Sequence, residues 1–319
     1  DLSVSRMLRL KFELGLFERP YPRNDRFDKI KTEDHVKMAR EAARESIVLM
    51  RNEGALPLDP SSIKKLVVAG PTSNAKRVLG GGWTLRWIPN DENIFPGKMH
   101  TVFTAMREHF PSSRIEYADD ETILRASAGA DAIVICAGEF PYSEGSGNIY
   151  DNELPESQQD LIRQAQQTGL PVILVMIAGR PRGISKVYRG CDAVVWAGLP
   201  GFEGAEAIAE VLNGTVNPSG KLPFSYPVAD GHFYTYDHKL MDKNHFAGLS
   251  DERTIMESFG HGLSYSEFEY TNLEISDSLQ RKTGELTVTV DVKNTGDRKG
   301  KEAVLWYILV EVGCITRPL

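Results

Sequence analysis

Residues 171–177 read PVILVMI, an apolar run rich in β-branched residues, opened by a proline and closed by Ala178-Gly179. A strand with no polar side chain on either face is buried on both, which is the mark of a parallel sheet sandwiched between helices. Three more runs share this texture: LVVAG at 66–70, AIVICA at 132–137 and AVVWA at 193–197. Helical patterns fall between them near 99–109, 121–128, 156–168 and 204–213, so strands alternate with helices. Residues 31–227 are therefore expected to fold as an α/β sandwich on a mostly parallel sheet. In such sheets ligands bind beyond the carboxyl ends of the strands, and the loops after the strands are where chemistry is expected.

Toward the N-terminus, Leu2, Met7, Leu8, Leu10, Leu14 and Phe17 recur at roughly helical spacing until Pro20-Tyr21-Pro22 forbids continuation. This predicts a short helix and then an irregular linker, together residues 1–30. Thr32 precedes Glu33 and Asp34, whose charges suit a helix start, and Met38, Ala39, Ala42, Ala43 and Ile47 follow on one face. A second helix is predicted over 32–51. Downstream of Pro227 the texture changes: residues 228–264 show little periodicity and read as a connector. Strands are then predicted at 268–276, 285–293 and 301–311, with ELTVTVDVK at 285–293 alternating cleanly. An immunoglobulin-type sandwich needs about seven strands and about 100 residues, more than 265–319 supplies. An incomplete β module with an open edge is an aggregation hazard, so the chain is expected to be part of a larger protein.

Composition excludes several classes. The chain has 319 residues, a net charge of −7 and no basic block, so nothing in it suits a nucleic-acid backbone. Its longest apolar runs are far short of the roughly 20 residues that span a bilayer, so no membrane partner is expected. Arg6, Arg9, Lys11 and Glu13 interrupt any signal-peptide core at the N-terminus. Cys136, Cys191 and Cys314 lie far apart, and the first two fall in or beside apolar runs, where a thiol behaves as a small buried hydrophobe. The seven histidines (35, 100, 109, 232, 238, 245 and 261) show neither HExxH nor a ligand pair on one helical face, so no metal is expected. There is no GxSxG, and Gly80-Gly81-Gly82 fits neither GxGxxG nor a Walker motif, which argues against a serine nucleophile elbow and against nucleotide binding. No cofactor is expected.

Two loops remain. GGGWTLRW at 80–87 sets Trp83 and Trp87 on a glycine-rich segment after the first strand, where exposed indoles offer flat apolar faces for a sugar ring or another flat ligand. GEFPYSEGSGNIYDNELPESQQ at 138–159 carries Glu139, Glu144, Asp151, Glu153 and Glu156 among glycines and tyrosines. Acid/base hydrolysis of an acetal needs carboxyls beside apolar rings. Glu144, followed by Gly145 and Gly147 in mid-loop, is placed to reach across a cleft, whereas Glu156, after Pro155, reads as the opening of the next helix.

At this point the sequence resembles glycoside hydrolase family 3, the β-glucosidases and exo-β-glucanases. KFELGLFERPYP (11–22) is similar to the linker leaving that family's barrel domain, and ARESIVLMRNEGALPL (43–58) to the entry of its second domain. GGWTLRW (81–87) and GEFPYSEGSG (138–147) resemble its two active-site loops on that domain. NPSGKLPFSYP (217–227), SFGHGLSYSEFEY (258–270) and VDVKNTGDRKGKEAV (290–304) resemble its late α/β segment, its connector and the start of its fibronectin type III-like domain. The resemblance implies a retaining double displacement in which Glu144 is the acid/base and Trp87, with Trp83, lines the outer sugar subsite. It also implies that the nucleophile stands on an N-terminal (β/α)8 barrel, in the same protein or a second chain, and not within these residues. The implied substrate is a β-glucan or cello-oligosaccharide and the implied setting secreted or periplasmic. The alternative is a glucan-binding module without catalysis.

Overall fold

The computed structural model describes residues 1–21, 29–230, 255–275 and 286–306. Two compact units divide the chain, Asp1–Met38 and Ala39–Leu319. In the first, α1 (Leu2–Glu13) has no buried residue, and Leu2, Met7, Leu10 and Phe12 are exposed. The chain continues through α2 (Glu33–Ser46) into β1 (Val48–Asn52), β2 (Lys65–Ala69), α3 (Arg77–Gly80), α4 (Val102–His109), β3 (Arg114–Ala118) and α5 (Ile123–Ala126). There follow β4 (Ala132–Gly138), α6 (Glu156–Gln167), β5 (Val172–Ile177), α7 (Ser185–Tyr188), β6 (Ala193–Trp196) and α8 (Gly204–Leu212). Four short strands come last: β7 (Tyr226–Pro227), β8 (Ile255–Glu257), β9 (Phe268–Ile275) and β10 (Val288–Asn294).

The first six strands form one sheet in the order β1-β6-β5-β4-β2-β3, parallel throughout except for β1, which runs antiparallel to β6. Every residue of β4 and β5 is buried. Their side chains divide alternately between two cores. Val134, Cys136, Ile173, Val175 and Ile177 join the core that holds α4 and α8. Ile133, Ile135, Val172, Leu174 and Met176 join the core that holds α5, α6 and α7. The period-2 pleat thus feeds apolar groups to both faces, which is the physical content of the unbroken run. From β2 the chain steps outward to β3 and then returns past β2 to β4, so the winding reverses between β2 and β4. The carboxyl ends of these two strands form the topological switch point, where a crevice opens. Gly138 closes β4 at φ +147, and a Cβ there would lie 1.9 Å from the Ile177 carbonyl oxygen, so only glycine lets β4 and β5 stay paired to their ends.

The four apolar runs are strands, and four of the helical patterns are helices with shortened ends. The predicted helix over 32–51 is wrong in its last turn: it stops at Ser46, and Val48–Asn52 is the edge strand β1. Ile47, Val48, Leu49 and Met50 are apolar on all sides, which suits a buried strand as well as a helix, and pairing with β6 decides between them. β3 was absent from the strands expected, because Arg114 and Glu116 break the apolar pattern of an edge strand. Leu263 pairs antiparallel with Leu49, and its N–H donates to the Leu49 carbonyl at 2.8 Å, so the free edge of β1 is covered. β9 and β10 form a separate antiparallel ladder, the described part of the small β module. Of the strand predicted at 301–311, residues 301–306 carry no strand, and 307–311 lie outside the described residues, as do His232, His238, His245 and Cys314. Cys136 and Cys191 are buried free thiols, and burial pushes both pKa values up, that of Cys191 to about 12.

Two polar contacts fasten helices across the first core. Arg44 of α2 donates from Nε and Nη2 to the Glu210 carboxylate of α8 at 2.7 and 2.6 Å, and Glu210 is buried. Glu206 of α8 meets His109 Nε2 of α4 at 2.8 Å and His100 Nδ1 just before α4. Hydrogen bonding from His109 and then His100 outweighs the opposing effect of burial and lowers the Glu206 pKa from 4.5 to about 2.

Removing one partner of a buried pair strands the other charge, so Arg44→Met is expected to lower unfolding stability by about 3 kcal/mol in urea titration; a loss below about 1 kcal/mol would show Glu210 finding water instead. Glu206 has a folded pKa below its unfolded one, so its contribution is complete above pH 4.5 and lost as pH falls toward 2. The Glu206→Gln variant should accordingly show a flatter decline of stability across that acid range than the parent chain. Parallel acid limbs in the two titrations would rule the contact out as a source of the pH dependence.

Candidate functional site

The two loops that the sequence singles out follow β2 and β4, the strands between which the winding reverses. After α3, Gly81 and Gly82 lead into Trp83–Trp87, a segment closed on itself: Trp83 N–H donates to the Trp87 carbonyl at 2.9 Å and Thr84 Oγ1 to the Gly80 carbonyl at 2.8 Å. Trp83 and Leu85 both hold left-handed backbone, φ +58 and +64, a strained choice for side chains of that size. The indoles are 68% and 49% exposed for Trp83 and Trp87, which excludes a purely core role for either. Glu92 ties the following segment to α3, accepting from Lys76 N–H at 2.8 Å and pairing with Arg77 at 3.3 Å. The Arg77 guanidinium in turn lies 4.5 Å from the centre of the half-exposed Phe140 ring.

The second loop begins where β4 ends. Gln158 of α6 holds Gly138 by both backbone groups, accepting from its N–H at 2.9 Å and donating to its carbonyl at 3.0 Å. Ser143 is buried and donates from Oγ to the Trp87 carbonyl at 2.6 Å, which joins the two loops directly. A Cβ on Gly82 would fall 2.1 Å from the Tyr142 carbonyl oxygen, so this close approach is open to glycine alone. Glu144–Gly147 then makes a single 3-10 turn, supported by Ser146, whose Oγ accepts from Ser143 N–H and donates to the Ser143 carbonyl.

The five carboxylates of this loop are sorted by their partners. Glu139 sits between Arg180, at 3.1 Å, and Arg182, at 3.4 Å, with only 13% of its side chain exposed. Glu153 pairs with Lys186 at 3.6 Å, and Glu156, in the first turn of α6, with Arg163. Asp151 caps its own turn by accepting from Glu153 N–H at 2.8 Å. Glu144 is different. It is exposed, its φ of +50 lies in the left-handed region, and among the described residues its carboxylate has neither a hydrogen-bond nor an ion-pair partner. Its loop tip thus combines a strained backbone with a solvated carboxylate.

Trp83, Trp87 and Glu144 thus stand on two loops joined by the Ser143 to Trp87 hydrogen bond, and the structure adds residues that the sequence analysis does not single out. Arg180 and Arg182, in Gly179-Arg180-Pro181-Arg182 after β5, grip the second loop. Their signal is position: two arginines at the carboxyl end of a central buried strand, where the fold places its ligand loops.

Residues 47–265 match the glycosyl hydrolase family 3 C-terminal domain. The chain is 36% identical to a lysosomal β-glucosidase of Dictyostelium discoideum over 97% of its own length and 40% of that protein. It is 30% identical to a periplasmic β-glucosidase of Salmonella typhimurium, covering 100% of itself and 47% of that protein. Among solved structures, the β-glucosidase of Listeria innocua in complex with isofagomine superposes with a TM-score of 0.78 at 31% identity, over 92% of this chain and 43% of that one. The chain spans less than half the length of these relatives. A family match over most of the sandwich, joined to a fold and two loops that agree with it, has one meaning: this chain belongs to glycoside hydrolase family 3, as its C-terminal portion.

Proposed function

We propose that this chain is the α/β-sandwich half of a retaining β-glycosidase, with Glu144 as acid/base and Trp87 and Trp83 as the outer sugar subsite. One observation carries the reading: of the five carboxylates in the 138–159 loop, Glu144 alone lacks a partner among the described residues, at a strained loop tip joined to the tryptophan loop. In the first step the Glu144 carboxyl gives its proton to the glycosidic oxygen as the bond to the anomeric carbon breaks and a nucleophile carboxylate bonds that carbon. In the second, the Glu144 carboxylate takes a proton from water, which attacks the anomeric carbon and frees the nucleophile. Retention needs the two carboxyls about 5 to 5.5 Å apart. In this reading the nucleophile stands on an N-terminal barrel that closes over Glu144. Residues 1–30 are the linker from that barrel, 31–227 the sandwich, 228–264 a connector and 265–319 part of a fibronectin type III-like domain.

Relatives named as β-glucosidases and β-xylosidases and the two exposed indoles support the proposed substrate, a β-glucan or cello-oligosaccharide whose outer sugar stacks its C–H face on Trp87. A periplasmic and a lysosomal relative support an extracytoplasmic setting.

In the complete enzyme, Glu144→Gln should lower kcat/KM for cellobiose by about 10²-fold or more while leaving kcat/KM for a dinitrophenyl glucoside within about tenfold, because the first step with a good leaving group needs little acid assistance. Equal losses on both substrates would remove Glu144 from the acid role. Trp87→Ala should reduce kcat/KM for cello-oligosaccharides by about fivefold, the value of about 1 kcal/mol of stacking, and spare small aryl glucosides. An unaltered preference between the two substrate types would refute the stacking role.

A further inference from the structure

The segment from Glu139 to Gly147 departs from β4 and returns within hydrogen-bond reach of one side chain, Arg180, in the loop after β5. Its Nε meets the Glu139 carboxylate at 3.1 Å, at the start of the segment, and its Nη1 donates to the Gly147 carbonyl at 2.9 Å, at the end. Between these points the guanidinium plane covers the Tyr142 ring, 4.0 Å from its centre. That ring is packed from other sides too, since a Cβ on Gly147 or Gly179 would come within 2.6 or 2.8 Å of Tyr142 atoms. Arg182 meets the same Glu139 oxygen, Oε1, and also donates to the Glu153 carbonyl, while Tyr226 Oη donates to the Arg182 carbonyl at 2.7 Å and is buried. One guanidinium therefore fixes both feet of the loop and the aromatic ring between them. Glu144, at the tip, touches neither arginine among the described residues.

We infer that Arg180 is a positioning residue for the proton donor: it sets where the Glu144 carboxyl stands by pinning Glu139, Tyr142 and Gly147. The inference rests on the reading of Glu144 as acid/base. A five-donor planar fork is needed to bond a carboxylate and a carbonyl while stacking on a ring, and a lysine ammonium cannot do all three. The predicted failure is specific. If the loop loses its clamp, Glu144 keeps its chemistry but spends less time at the glycosidic oxygen, so the loss falls on steps that need its proton. Uniform loss of substrate binding is not expected, because Arg180 touches neither indole.

The test uses the complete enzyme and three variants, Arg180→Met, Arg180→Lys and Glu144→Gln, each assayed on cellobiose and on 2,4-dinitrophenyl β-glucoside. Arg180→Met keeps the apolar stem against Tyr142 and should cut kcat/KM for cellobiose by about 10²-fold while kcat/KM for the dinitrophenyl substrate, which reports a first step needing little acid assistance, stays within about threefold. Arg180→Lys should show the same leaving-group dependence at smaller size, since it keeps a charge beside Glu139, and it carries the test if the methionine variant does not fold. Parent-like rates for both Arg180 variants, or equal losses on the two substrates by the lysine variant, would overturn the positioning role while Glu144→Gln still discriminates. Should Glu144→Gln itself fail to discriminate, the acid/base reading falls and this inference with it.

Discussion

A strand with apolar side chains at every position has no face it can turn to water, and β4 and β5 are such strands from end to end. The rest of the architecture follows from that constraint. Both faces must be roofed, so helices have to cross over on both sides, α4 and α8 on one and α5, α6 and α7 on the other. A sheet wound in both directions contains a place where the winding reverses, and at the carboxyl ends of β2 and β4 the two departing loops leave a crevice. The candidate site residues stand on those two loops.

At that crevice the energetic logic inverts. Away from it, charges are neutralised locally: Arg44 with Glu210, Arg40 with Glu203, Glu206 with two histidines. The same rule governs the loop after β4, where Arg180 and Arg182 neutralise Glu139. Four of the five carboxylates there have structural partners, and the fifth, Glu144, has none among the described residues. Glu144, Trp83 and Leu85 are also three of the described non-glycine residues with left-handed backbone. Each such residue costs about 1 kcal/mol or more and persists only when its surroundings over-determine it. The surroundings here are the Ser143 to Trp87 hydrogen bond, the Gly82 approach to Tyr142 and the arginine clamp.

What could be read in the sequence was whatever one residue type expresses on its own. The four interior strands were legible because burial on both faces writes a continuous apolar run. The edge strands were not: Arg114 and Glu116 alternate with Ile115 and Tyr117 in β3, and Val48–Asn52 continues the apolar spacing of the helix before it. Only pairing, β3 with β2 and β1 with β6, separates strand from helix at those places, and pairing is a property of two segments. The same division holds at the site. Glycines around tryptophans and a glutamate amid glycines are local signals, so Trp83, Trp87 and Glu144 could be picked out. That Glu139 is spoken for, and by which residues, depends on Arg180 and Arg182, which lie 41 and 43 positions further on.

That distance carries a consequence for how the proposed site works as a unit. The proposed proton donor and the proposed sugar platform come from different crossovers, one after β4 and one after β2, yet Ser143 Oγ bonds the Trp87 carbonyl and Gly82 lies against Tyr142. Beyond its internal bonds, the tryptophan loop leans on residues 142 and 143, and the Tyr142 ring is covered in turn by Arg180 from the loop after β5. Residues in one network couple energetically, where distant ones add. A shift of the Arg180 clamp therefore reaches the tryptophan loop through Ser143, but it reaches Glu144 first, because Glu144 is joined to Ser143 by a peptide bond and has no other anchor among the described residues. Three strand ends thus converge on a single carboxylate, each fixing the next, and the outermost group is the one left free to meet a partner.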